Sequence, residues 1–179
     1  KYPSMTNTGC SAEIQTLTSD LSALKKKITA LSASGETYLP GGLTWGWNML
    51  TSQEPLTEAE TATTLAAKGG RKILVLTTDG ATTLVPIRKE ASGHNTTIAS
   101  VYKSLDYSNT LSAELCTAIK NDGIDIYTVQ FDVVDTSLQQ LLTNCATSPT
   151  MSYQAAGSDG LVDVFDKIVT DLTQIRIAR

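Results

Sequence analysis

The sequence predicts an α/β domain with a mostly parallel sheet, and three observations predict it. The first is an unbroken apolar run, Ile73-Leu74-Val75-Leu76, entered through Gly69-Gly70-Arg71 and left through Thr77-Thr78-Asp79-Gly80. Such a run has no wet face, so it reads as a central strand of a parallel sheet covered on both sides. The second is alternation. Periodic segments follow one another as helix, helix, strand, helix, strand, helix, strand, helix, the order of a sheet with crossover helices. The third is length: 179 residues suit one domain, 1–179, able to bury roughly 70% of its unfolded surface. Three strands are few for that length. A doubly wound sheet needs more, and their expected place is before residue 1. The chain also lacks an initiator Met and begins in a loop-like Lys1-Tyr2-Pro3-Ser4, so it reads as the C-terminal portion of a longer domain.

The elements follow in order. Residues 1–16 carry little periodic signal. A helix begins at Leu17-Thr18-Ser19-Asp20, capped by Ser19 or Thr18, with Leu21, Leu24, Ile28 and Leu31 at helical spacing and a stop at Ser34-Gly35. Glu36 to Gly42 holds too much Gly and Pro for a helix interior and reads as a loop. A second helix is expected over Leu43–Leu50, with Leu43, Trp47 and Leu50 on one face. Trp45 lies about 200° from Trp47, so both rings cannot enter the same core. It either packs beneath a neighbouring loop or serves as a partner-facing anchor. A polar loop with a short helix after Thr57 leads to the strand. Ala81–Ser100 reads as a long irregular segment containing His94, at the sheet edge where long loops are often functional. A helix capped by Ser108-Asn109-Thr110 places Leu111, Leu115, Ala118 and Ile119 inward and ends at Asn121-Asp122-Gly123. Ile124–Phe131 is a strand, Leu138, Leu141 and Leu142 mark a short helix, and Met151–Ala155 is a weaker strand. The last helix, capped by Ser158-Asp159-Gly160, carries Leu161, Phe165, Ile168, Val169, Leu172 and Ile175 inward.

Composition narrows the function. Formal net charge is −4, and the largest cationic cluster, Lys25-Lys26-Lys27, sits on a helical pattern as a solvated face. Nucleic acid is therefore an unsuitable partner. No stretch of eighteen apolar residues and no signal peptide is present. A Ser-His or Cys-His nucleophile needs a histidine, and the single one, His94, lies in a Ser-Gly-His-Asn segment that reads as solvated loop. There is no CxxC or HxxxH spacing for zinc and no phosphate loop. Of three cysteines, Cys116 and Cys145 fall on helical patterns and could bridge two packed elements, leaving Cys10 over; three buried free thiols are the alternative.

Ligands of open α/β sheets collect beyond the carboxyl ends of the strands, where Thr77, Thr78 and Asp79 stand. Asp79 offers a carboxylate, and Thr37 a hydroxyl in the loop before the second helix. Both are oxygen donors suited to a hard cation such as Mg²⁺. Two ligands do not hold it alone, so the rest must come from elsewhere or from a partner's Asp or Glu. Asp79 read as a plain turn residue of Asp-Gly is the alternative. A metal-dependent hydrolase or phosphotransferase using Asp79 would need a second acid from Asp106, Asp132 or Asp135.

Gly35-Glu36-Thr37 followed by Thr78-Asp79-Gly80 resembles the second and third parts of the metal-ion-dependent adhesion site of von Willebrand factor type A domains. Nearly the whole chain resembles the C-terminal part of TadG-like proteins of tight-adherence (Tad) pilus assembly. The likeness runs through Gly35-x-Thr37-Tyr38-Leu39-Pro40-x-Gly42-Leu43-x-Trp45-Gly46-Trp47 and Lys72-Ile73-Leu74-Val75-Leu76-x-Thr78-Asp79-Gly80. It continues in Leu115-Cys116-x-x-Ile119-Lys120, Gly123-Ile124-x-Ile126-Tyr127-Thr128-Val129, Leu141-Leu142-x-x-Cys145-Ala146 and a closing Ile175-Arg176-Ile177. It implies a three-layer αβα, Rossmann-like fold and a non-enzymatic interaction or adhesion module with Thr37 and Asp79 at a Mg²⁺ site. The implied partners are other pilus or envelope proteins, in an extracytoplasmic setting with an inner-membrane anchor upstream. That setting would oxidise Cys116 and Cys145. The family's first site element, Asp-x-Ser-x-Ser, has no counterpart between Lys1 and Ser34, so the metal site is incomplete in this chain.

Overall fold

The computed structural model describes residues 12–33, 37–83 and 101–177, with side chains from 107 to 173 in the last stretch. The expectations placed on Cys10, Gly35, Glu36, His94 and the Asp106 side chain lie outside the described residues. The chain divides into two compact units, Lys1–Gly35 and Glu36–Arg179.

The first unit contains helix α1, Leu21–Thr29. Its cap is Asp20, whose carboxylate accepts the Ser22 and Ala23 amides at 3.0 Å each, rather than Ser19 or Thr18. A carboxylate satisfies two of the orphan amides at the positive end of the helix dipole. Thr18 instead accepts from the Asp20 amide. Lys27 reaches Glu13 at 3.4 Å.

The second unit is a three-stranded parallel sheet in the order β1-β2-β3: β1 Lys72–Thr78, β2 Ile124–Phe131 and β3 Ser152–Ala155. The expected central position of Ile73–Leu76 is corrected. Among the described residues β1 is an edge strand and β2 is central, its side chains buried at every position but Asp125 and Phe131. Apolarity on both faces says that a strand is covered, not which neighbours it has.

Register puts Leu74, Leu76 and Thr78 on the same face as Ile126, Thr128 and Gln130. That face is covered by α2 (Leu39–Leu50), α4 (Val101–Asn121) and α5 (Thr136–Cys145), while α3 (Ala62–Ala67) leads into β1. Leu43, Leu74, Cys116, Ile119, Ile124, Ile126 and Cys145 form its core, with Trp47 and Leu50 packed against them. The opposite face holds Tyr127, Val129 and Ala155 against Val164 and Ile168 of α6, Gly157–Ile177.

Two helices begin earlier than the sequence suggests. α2 starts at Leu39, with Pro40 in its first turn, where a missing amide costs nothing and the fixed φ suits the helix. α4 starts at Val101 and carries Ser108 in its interior, fully buried, rather than at its cap. Phe165 and Val169, expected inward on the last helix, are 41% and 57% exposed. Cys116 of α4 and Cys145 of α5 are joined in a disulfide with Cα atoms 5.1 Å apart.

Candidate functional site

The candidate site lies at the carboxyl rim, and backbone hydrogen bonds build it. β1 ends at Thr78, a nearly buried residue whose hydroxyl donates to the Gly80 carbonyl at 2.8 Å and accepts the Gly80 amide at 3.3 Å. This closes the Asp79-Gly80 turn from beneath and leaves Asp79 exposed at its tip. The chain then runs beside the segment entering α2. The Thr37 amide donates to the Thr83 hydroxyl at 2.9 Å, and the Thr83 amide donates to the Thr37 carbonyl at 2.8 Å. The Leu39 amide donates to the hydroxyl of buried Thr82 at 3.3 Å. Leu39 itself packs on Leu138, Leu142 and Leu76.

The segment carrying Thr37 is thus tied to the loop that follows the Asp79 turn, although 42 positions separate Thr37 from Asp79 in sequence. The residues that do this, Thr82 and Thr83, are absent from the expected site. Their one sequence signal is a hydroxyl pair directly after Asp79-Gly80-Ala81, read only as irregular loop.

The same rim carries two further acids, and backbone groups occupy both. Asp132, with φ at +50°, accepts the Gly157 amide at the start of α6. Asp135 caps α5 by accepting the Ser137 and Leu138 amides. Among the described residues no three His, Cys, Asp or Glu side chains gather to hold a metal. One carboxylate and one threonine hydroxyl meet a hard cation's needs only in part.

Other features lie away from this rim. A groove of about 430 Å³ at the amino end of the sheet is lined by Trp47, Asn48, Glu54, Lys72, Asp122 and Ile124, among others. Its main polar groups are paired: Lys72 Nζ donates to the Leu50 carbonyl at 2.6 Å, and Trp47 Nε1 to Asp122 Oδ2 at 2.8 Å. Trp45 is 43% exposed rather than packed beneath a loop.

No protein-family model matches the chain, and no curated protein matches it. Solved structures do share the fold. The vWF domain of the type V pili tip protein Mfa5 from Porphyromonas gingivalis aligns with a TM-score of 0.59 at 15% identity, over 88% of this chain and 73% of that one. The pilus adhesin SpaC from Lactobacillus rhamnosus GG aligns with a TM-score of 0.57 at 16% identity, over 86% of this chain. The chain spans only 21% of that adhesin's length. The fold is therefore that of a von Willebrand factor A-type, Rossmann-like α/β domain.

Proposed function

We propose that the chain is a non-enzymatic, adhesion-type interaction module of a bacterial pilus or cell-envelope protein, of the TadG-like kind, which meets a partner protein at the carboxyl rim of its sheet. Asp79 and Thr37 contribute to a Mg²⁺ site there, and its remaining ligands come from outside the described residues and from a carboxylate of the partner. A divalent cation at that rim supplies charge that a partner's Asp or Glu can satisfy.

One observation supports the reading: the Thr37–Thr83 pair of hydrogen bonds and the Leu39–Thr82 bond tie the segment that carries Thr37 to the loop that follows Asp79. Two solved structures that share the fold belong to a pilus adhesin and a pilus tip protein. The Cys116–Cys145 disulfide suits an oxidising compartment. Asp132 and Asp135, two of the three acids a hydrolase could draw on beside Asp79, are committed to backbone amides.

The test is calorimetric titration of Mg²⁺ and Mn²⁺ into this chain and into its Asp79→Ala variant. Weak binding by the chain and its loss on Asp79→Ala are the expected results. Cation binding that survives Asp79→Ala would remove the site.

A further inference from the structure

Asp-Gly occurs three times in the chain, at Asp79-Gly80, Asp122-Gly123 and Asp159-Gly160. This dipeptide is chemically unstable in water, because glycine has no side chain to shield its own nitrogen. That nitrogen bonds to Cγ of the preceding aspartate. The amide proton, the acid proton and one carboxyl oxygen leave as water, and a five-membered succinimide closes. Water then reopens the ring at either carbonyl. Opening at the main-chain carbonyl leaves the chain running on through the side chain, as isoaspartate. The reaction needs a carboxyl that is free to turn and a nitrogen that is free to meet it. All three aspartates are exposed, so exposure does not choose between them. Hydrogen bonding and backbone conformation do.

Asp122-Gly123 is held on both sides of the reaction. Asp122 Oδ2 accepts the Trp47 Nε1–H at 2.8 Å, and the Gly123 amide donates to the Lys120 carbonyl at 3.0 Å. Gly123 stands just past α4 at φ +74°, locked in the turn that ends the helix. Asp159 and Gly160 lie inside α6, whose helical backbone keeps the Gly160 nitrogen from swinging onto the Asp159 carboxyl. Asp79-Gly80 lacks these restraints. β1 ends at Thr78, so the sheet ladder does not fix the Asp79 backbone. The Asp79 carboxylate joins no ion pair or hydrogen bond among the described residues. There the Gly80 amide reaches only the Thr78 hydroxyl, at a long 3.3 Å. A Cβ on Gly80 would meet nothing within 4 Å, so the turn has room to move. We propose that Asp79 is a site of succinimide formation and isomerisation to isoaspartate, and that the fold confines this chemistry to it. The product attaches the free carboxylate directly to Cα and lengthens the main chain by a carbon between Thr78 and Gly80. The Thr78–Gly80 hydrogen bonds that close the turn, at 2.8 and 3.3 Å, are then set across a longer link. The carboxyl rim therefore changes with age at its exposed acid. The inference does not depend on a cation at Asp79.

Peptide mapping of the 179-residue chain, incubated folded for weeks at one fixed pH, tests it. Isoaspartate is read at each Asp-Gly as a peptide of unchanged mass that elutes separately and accepts a methyl group from an isoaspartate methyltransferase. Asp79 should convert at least about tenfold faster than Asp122 and Asp159, because local restraint sets each rate. In the reduced, denatured chain the three should convert at similar rates. Gly80→Ala, whose methyl the turn has space for, should all but stop conversion at Asp79. Equal conversion at the three sites of the folded chain overturns the proposal. A lead for Asp79 that persists undiminished after denaturation overturns it too, since the neighbouring sequence and not the fold would then select the site. So does isoaspartate at position 79 that survives Gly80→Ala. The comparison within the parent chain keeps the result readable if Gly80→Ala folds poorly.

Discussion

Tyr153 shows how one side chain couples this fold to pH. Burial, and then the hydrogen bond to Asp171, push its phenol up to about 12. Burial also raises Tyr127 and Tyr38. An unfolded tyrosine ionises near 10, so above that pH the unfolded chain sheds a proton that the folded chain keeps. The stabilisation is complete below about pH 10 and is lost as pH rises toward 12. Tyr153→Phe should cost about 1–2 kcal/mol at neutral pH, as loss of a hydrogen bond to a carboxylate, and should flatten the alkaline limb. Urea midpoints at pH 7 and pH 11 measure both, and an unchanged limb would move the effect to Tyr127 and Tyr38. None of this was legible in the sequence, because Tyr153 and Asp171 meet only when α6 folds back over β3. Asp79 was legible because a strand end followed by Asp-Gly is local chemistry. Thr82 and Thr83 were not, because their role is to hold a segment more than forty positions away.

At the scale of elements, the disulfide and the α2–β1 contact each make a prediction. Cys116–Cys145 closes 29 positions of chain between α4 and α5. Reduction should lower stability by about 3–4 kcal/mol on the chain-entropy account, read as a fall in denaturant midpoint when reductant is present. A midpoint unmoved by reductant would mean that Lys120, which donates to the Asn144 and Ala146 carbonyls at 2.9 and 3.4 Å, already fixes the end of α5. At Gly46, any side chain must displace Leu74. Alanine recovers about 1 kcal/mol of helix propensity against that displacement, whereas valine adds bulk with no such gain and should cost about 1–3 kcal/mol. Denaturation of both variants separates the terms: Gly46→Val must be clearly the worse. Periodicity fixed the existence of these helices because burying one stripe is what forms them. It missed the starts of α2 and α4 because Leu39-Pro40-Gly41-Gly42 and the interior Ser108 take their helical state from packing, which local propensity does not carry.

At the scale of the molecule, the sequence made the parallel α/β class legible and misjudged where β1 sits. A strand's composition records how much of it is covered in the finished protein, and β1 is composed for an interior position. Among the described residues it is an edge, and a flat apolar edge is a template for pairing with other chains. The isolated 179-residue chain should therefore associate through β1 as its concentration rises. Val75→Lys should suppress this: the charge sits beside the exposed edge, while the aliphatic stem still covers the strand and the ammonium reaches water. The unfolding midpoint of the isolated chain should scarcely move, since Val75 is 38% exposed there. In a polypeptide whose β1 is covered, the same lysine loses its route to water and should destabilise the fold by several kcal/mol. Light scattering against concentration, paired with urea unfolding of the parent and variant chains, tests both expectations. Association unaffected by Val75→Lys would show that the chains meet elsewhere, and a large unfolding penalty would show that Val75 is covered in the folded chain.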